Sequence, residues 1–170
     1  LYRRGIEVGY SDISIVHLGY AKDVATVRRK GERNLALLEK QVKDFPDACF
    51  VRFNLGKTYM MLERYDEALQ ELTKALSLPS AGPHFKANAH ESIASILFNA
   101  KDDLDGCIEE CHRALSYDDT LVTPRLLLGN AYFRKGEFDS AAAQFEGAVE
   151  ESLRRDRAVL RIDHDVDPGL

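Results

Sequence analysis

Leu55-Gly56-Lys57-Thr58-Tyr59-Met60-Met61-Leu62-Glu63-Arg64-Tyr65-Asp66-Glu67-Ala68 and Leu128-Gly129-Asn130-Ala131-Tyr132-Phe133-Arg134-Lys135-Gly136-Glu137-Phe138-Asp139-Ser140-Ala141 are two copies of one pattern. Each holds Leu-Gly, then Tyr, then an aromatic residue, Asp and Ala, at identical spacings. Each continues with a large apolar residue (Leu72, Phe145) and a further Ala (Ala75, Ala148), again in step. A weaker copy lies between them: Ala94-Ser95, Phe98, Leu104, Asp105, Cys107, Cys111 and Ala114. Ser95 to Gly129 is 34 residues and Gly56 to Ser95 is 39. Five residues are therefore inserted after the first copy. The Pro/Gly-rich run Leu78-Pro79-Ser80-Ala81-Gly82-Pro83 is the natural place for them.

The pattern describes a helical hairpin. Small residues belong where two helix backbones approach: Gly56, Ser95 and Gly129 on the first helix, Ala68, Cys107 and Ala141 on the second. Tyr59, Phe98 and Tyr132 fill the space beside them. Ala75, Ala114 and Ala148 let the next hairpin dock closely, and short turns such as Lys135-Gly136-Glu137 join the helices. Asp66, Asp105 and Asp139 fall at the start of each second helix, where a carboxylate caps free N–H groups and meets the positive end of the dipole. The pattern and its period resemble the tetratricopeptide repeat (TPR) signature. The resemblance implies an all-α solenoid of three helical hairpins, with repeats at 49–82, 88–121 and 122–155. Such stacks need capped ends. A capping helix is expected at 31–45, within a linker and cap spanning 22–48. Leu35, Leu38, Val42 and Phe45 share one helical face there, and Pro46 stops it. Residues 150–161, with Leu153, Val159 and Leu160 among charges, extend the repeat region as far as 160, and 161–170 reads as a tail.

Composition narrows the function. Of 170 residues 45% are apolar, enough for a core, and the formal charge of −5 lacks the clustered positive field that nucleic-acid binding needs. No apolar run approaches the ~18–20 residues that cross a bilayer. Three cysteines (Cys49, Cys107 and Cys111) form no regular framework, which favours reduced thiols and a cytoplasmic setting. The chain opens on Leu1-Tyr2-Arg3-Arg4 without Met and reads as a fragment of a longer polypeptide.

Residues 1–21 read differently. Val8, Ile13, Ile15, Val16, Leu18 and Tyr20 are dense in strand-formers and suggest a short extended remnant of an upstream domain. The run Gly9-Tyr10-Ser11-Asp12-Ile13-Ser14-Ile15-Val16-His17-Leu18-Gly19-Tyr20 resembles the end of the catalytic domain in bacterial family 2 glycosyltransferases that carry C-terminal TPRs. The likeness continues through Lys30, Arg33-Asn34-Leu35, Leu37-Leu38, Phe45-Pro46-Asp47 and Phe53-Asn54-Leu55-Gly56. It implies an upstream glycosyltransferase domain holding a nucleotide-sugar and a divalent metal, with His17 near that donor site. The acidic metal-binding motif of such enzymes is not in these residues, so no catalytic, cofactor-binding or metal residue is expected here. The alternative is a free-standing TPR adaptor with no enzymatic activity.

Other clusters are weaker. Cys107, Cys111 and His112 invite a metal or haem reading, but both thiols fall in core positions of the repeat. Asp163, His164, Asp165 and Asp167 lack the loop Gly and distal Glu of a Ca²⁺ site. The better candidate is a concave groove binding a protein or peptide. First helices line it in a TPR stack, and the residues pointing there are Phe50, Phe53, Lys57 and Met60; Ala89, Ser92, Ile96 and Asn99; and Thr123, Leu126, Asn130 and Phe133. Chaperone-binding TPRs clamp a peptide's carboxylate with Lys, Asn and Arg. Phe53, Ile93, Thr123 and Leu127 stand where most of those groups would be, so an apolar-lined groove suited to a helix or extended peptide is expected.

Overall fold

The computed structural model describes residues 24–162. The extended segment and His17 expected in 1–21, and the acidic tail from Asp163, lie outside the described residues. Among those described, seven helices follow one another without a strand: α1 (Val24–Asp44), α2 (Cys49–Met61), α3 (Tyr65–Ser77), α4 (Pro83–Asn99), α5 (Leu104–Tyr117), α6 (Val122–Lys135) and α7 (Phe138–Ile162). The pairs α2–α3, α4–α5 and α6–α7 are the three hairpins.

Small residues set the crossing within each hairpin. A Cβ on Gly56 would stand 2.8 Å from Leu72 and 3.3 Å from the Ala68 carbonyl oxygen. One on Gly129 would stand 2.5 Å from the Phe145 ring. Ser95 fits the same slot because its Oγ donates to the Glu91 carbonyl oxygen (3.0 Å) within its own helix. Ala68, Cys107 and Ala141 face these positions, fully or almost fully buried. The turns repeat as well. Glu63 (φ 60°), Asp102 (φ 55°) and Gly136 (φ 80°) occupy one register position, and each takes the left-handed conformation that closes the hairpin.

The five inserted residues do not form a loop. They extend α4, which has 17 residues against 13 in α2 and 14 in α6. Pro83 starts the extension at a position where the missing N–H costs no helical bond. The extension carries Phe85, whose ring meets Phe53 edge-on at 5.0 Å.

α1 caps the stack through Leu35, Leu38 and Val42, which pack on the cluster of Leu55, Tyr59 and Leu72. The Tyr59 hydroxyl donates to Glu39 Oε1 (3.1 Å). Burial, followed by the Glu39 carboxylate, raises the Tyr59 pKa. Phe45 does not join this stripe: the helix ends at Asp44, and the ring is 62% exposed. The Asp positions also differ from expectation. The side-chain cap of α5 is Asp103, which accepts from the Gly106 N–H (2.9 Å). Asp66 and Asp105 sit in first turns but reach the next repeat, pairing with Lys101 (2.5 Å) and Lys135 (2.6 Å).

Inside the first two hairpins a glutamate at one register position is held by two bases. Glu71 takes Arg52 Nη1 (2.8 Å) and Lys74 Nζ (2.7 Å). Glu110 takes Arg113 Nη1 (2.7 Å) and lies 2.6 Å from His90 Nδ1. The third hairpin has Gln144 there, opposite Arg125 in the register of Arg52, and Arg125 Nε is buried without a hydrogen-bond partner among the described residues.

Gly129→Leu forces the Phe145 ring aside and lowers stability by about 1–3 kcal/mol, read from a denaturant or thermal melt; an unchanged melt rejects the third repeat's register. Gln144→Glu supplies Arg125 with its missing acceptor and raises stability by about 1–2 kcal/mol; a destabilised variant would show that Arg125 does not stand in the Arg52 register.

Candidate partner-binding site

The positions expected to form one groove separate into three groups. Phe50 is 67% exposed at the start of α2. Lys57 is also exposed, and among the described residues its Nζ meets the Ser92 hydroxyl at 3.5 Å. Phe53 and Met60 are half-buried against the first core cluster, and Phe53 is pinned by Phe85.

The middle repeat contributes little open surface. Ile96 is 1% exposed, in the same core cluster as Ile93, Leu55 and Tyr59. Ala89 and Ser92 are buried too. The expectation that Ile96 lines the groove is therefore corrected: α4 packs against α2 and α3 through this face, so the side chain is spent on the core. Asn99 is exposed, but its Nδ2 donates to the Ser95 carbonyl oxygen (2.8 Å).

The third repeat forms a separate patch. Leu126 (43% exposed) and Phe133 (58%) lie on α6, and Phe133 meets Phe138 edge-on at 5.5 Å. Asn130 lies between them and donates to the Leu126 carbonyl oxygen (2.8 Å).

A concavity lies between α1 and α2. It is a groove of about 390 Å³ lined by Asn34, Leu37, Leu38, Gln41, Phe50, Val51, Asn54, Lys57, Thr58 and Met61. Its floor is apolar and its single charge is Lys57. Leu37 (58% exposed) and Met61 (49%) flank it together with Phe50. Sequence reasoning missed the α1 wall because that helix was assigned only its capping stripe. A second stripe, Asn34-Leu37-Gln41, runs beside Leu35-Leu38-Val42 at helical spacing and was legible.

The thiols are structural in position. Cys107 and Cys111 are fully buried with sulfurs 4.0 Å apart, packed with Ala94 and Leu128. The contact to Cys107 and burial push the Cys111 pKa upward, so it stays protonated at neutral pH. Asp118 accepts from the Thr120 hydroxyl (2.6 Å) and N–H (3.0 Å), which holds its carboxyl below the usual range. Among the described residues no three His, Cys, Asp or Glu side chains are grouped as a metal site. No described helix is long and apolar enough to cross a membrane.

Comparison with known proteins agrees with this architecture. Tetratricopeptide repeat family models match residues 49–78 and 124–153. No curated protein matches the chain. A solved MamA structure, "MamA MSR-1 C2", is 24% identical, covering 81% of this chain and 81% of its own, with a TM-score of 0.61. "MamA 41-end from Desulfovibrio magneticus RS-1" is 20% identical over 79% of this chain and 78% of its own, at 0.63. YrrB, described as a TPR protein with an unusual peptide-binding site, is 21% identical over 75% of this chain and 63% of its own, at 0.60. At these identities the likeness is one of fold.

The Phe53–Phe85 contact carries a prediction. Phe53→Ala lowers the melting temperature because the ring belongs to the core. A double-mutant cycle with Phe85→Ala yields a coupling of about 0.5–1.5 kcal/mol. Additive single effects would show that the α4 extension does not hold Phe53.

Proposed function

We propose that this tetratricopeptide-repeat chain is a protein-interaction scaffold whose docking surface is the α1–α2 groove. The carrying observation is the exposure of Leu37, Phe50 and Met61 around one concavity while the matching face of the second repeat is buried. Apolar anchors in such a groove supply most of the binding energy, and a helix or extended peptide is the ligand shape that fits. Three buried, unpaired cysteines support a reducing, cytoplasmic setting.

The repeat matches and the similar folds favour a free-standing adaptor. The sequence likeness across 9–56 supports a second, finer reading: the C-terminal arm of a family 2 glycosyltransferase, docking acceptor or assembly partners for an upstream catalytic domain. Nucleotide-sugar and divalent metal would then be held by that domain. A family 2 domain with an Asp-x-Asp-type motif, encoded in frame ahead of Leu1, is the observation that decides for it.

The scaffold reading is tested on a partner captured from the source cell. Phe50→Ala weakens binding by about 30-fold, as for an interface hot spot, and leaves the melt unchanged because the ring is exposed. Added salt matters little, since apolar contacts are not screened, whereas charge-led binding would fall as salt shortens the ~8–10 Å screening length. Normal binding by Phe50→Ala, with salt-sensitive loss in Lys57→Ala, removes the apolar groove as the docking surface.

A further inference from the structure

Equivalent positions of the repeat have different surroundings in the first and third hairpins. Ile93 and Leu127 occupy equivalent positions on α4 and α6, and both are buried where the preceding hairpin's first helix packs. The equivalent residue on α2 is Asn54, which lines the groove. α1 stands where the second helix of a preceding hairpin would stand. Among the described residues no helix lies where its first helix would, and the groove is found there.

The other end is the converse. Leu76 on α3 and Leu115 on α5 are half-buried in the core clusters shared with the following hairpin. Val149 holds the same position on α7 and is 59% exposed; Leu153, one turn on, is 50% exposed. Asp139 holds the position from which Asp66 and Asp105 reach a lysine of the next repeat, and it has no such partner among the described residues. Val149 and Leu153 thus form an exposed apolar ridge on α7.

The charges beside Val149 and in the groove are complementary. On α7 the acidic part is local: Glu146 and Glu150 flank Val149, while Glu151 is paired with Arg154 beyond Leu153. Glu146 and Glu150, beside Val149, have no ion-pair partner among the described residues. The groove's only charge is Lys57, which faces no carboxylate within salt-bridge distance. α1 behind it carries six Lys and Arg against three acids.

We propose that the α7 ridge of one copy docks into the α1–α2 groove of another, so that copies of this chain associate head to tail. The inference rests on the reading of that groove as a docking surface and names its occupant. Val149 and Leu153 meet the apolar floor at Leu37, Phe50 and Met61, and a carboxylate beside the ridge meets Lys57. Because ridge and groove are different surfaces, a bound pair leaves one ridge and one groove free, and the assembly is a ring or an open chain.

The test uses the full chain in sedimentation equilibrium over a wide concentration range. The average mass rises with concentration above that of one chain. Val149→Asp and Phe50→Asp each abolish this rise, while both melt like the parent because the replaced residues are exposed. Mixed, the two variants form a one-to-one pair and nothing larger, since one retains the groove and the other the ridge. Lys57→Glu weakens association by about tenfold or more, and Glu146→Lys with Glu150→Lys in the same chain restores it. A parent chain that stays monomeric at every concentration overturns the proposal, as does a mixture that fails to pair. If that monomer still captures another protein through Phe50, the scaffold reading stands and the occupant is a different protein. If the monomer instead shields Phe50→Cys from a thiol reagent, a segment of its own chain fills the groove. Loss of both self-association and Phe50-dependent capture removes both readings.

Discussion

The structure depends on how closely two helices can cross at Gly56, Ser95 and Gly129. A side chain at Gly129 would collide with the Phe145 ring, and one at Gly56 with Leu72. The absence of a Cβ lets each first helix lie against its partner, so Leu72, Leu128 and Ala131 bury fully or almost fully. Helix spacing depends on the side chains at the contact, and a bulky residue there would move the whole second helix outward. Each repeat touches mainly its neighbours, so an error at one crossing would be passed along the stack.

Polar groups reinforce this apolar frame in the same periodic way. Glu71 and Glu110 hold bases within their hairpins, and Asp66 and Asp105 bridge to lysines of the following repeat. The bridging pairs are exposed, and such pairs contribute only about 0–1 kcal/mol each. Their value lies in register: each joins the same two positions of consecutive repeats. The largely buried glutamates matter more, because removing one partner leaves a poorly solvated charge. The third repeat departs from the pattern at Gln144, and Arg125 Nε has no hydrogen-bond partner among the described residues.

The same periodicity locates the candidate docking surface. A solenoid buries each repeat against the next and exposes whatever has no neighbour. In this chain the middle repeat is sealed on both sides, which is why Ile96 and Ser92 are buried while Phe50 and Val149 are not. The α4 extension tightens that seal, because Phe85 covers Phe53. Open apolar surface is thereby concentrated at the two ends of the stack.

The sequence by itself determined the hairpin, its period and its crossing residues. These follow from local spacing: a helix has a fixed pitch, so Gly56, Tyr59 and Ala68 can serve only one geometry. The burial of Cys107 and Cys111 was legible for the same reason, since they fall in the slots of Ala68 and Leu72. Tertiary structure alone decided which groove residues stay open. Phe50 and Ala89 share a register position, yet one faces solvent and the other the core, because burial depends on whether a neighbouring helix is present. It also decided the fate of the inserted residues. A Pro/Gly-rich run reads as loop, but Pro83 is equally suited to begin a helix, and packing of Phe85 on Phe53 made the helical choice favourable.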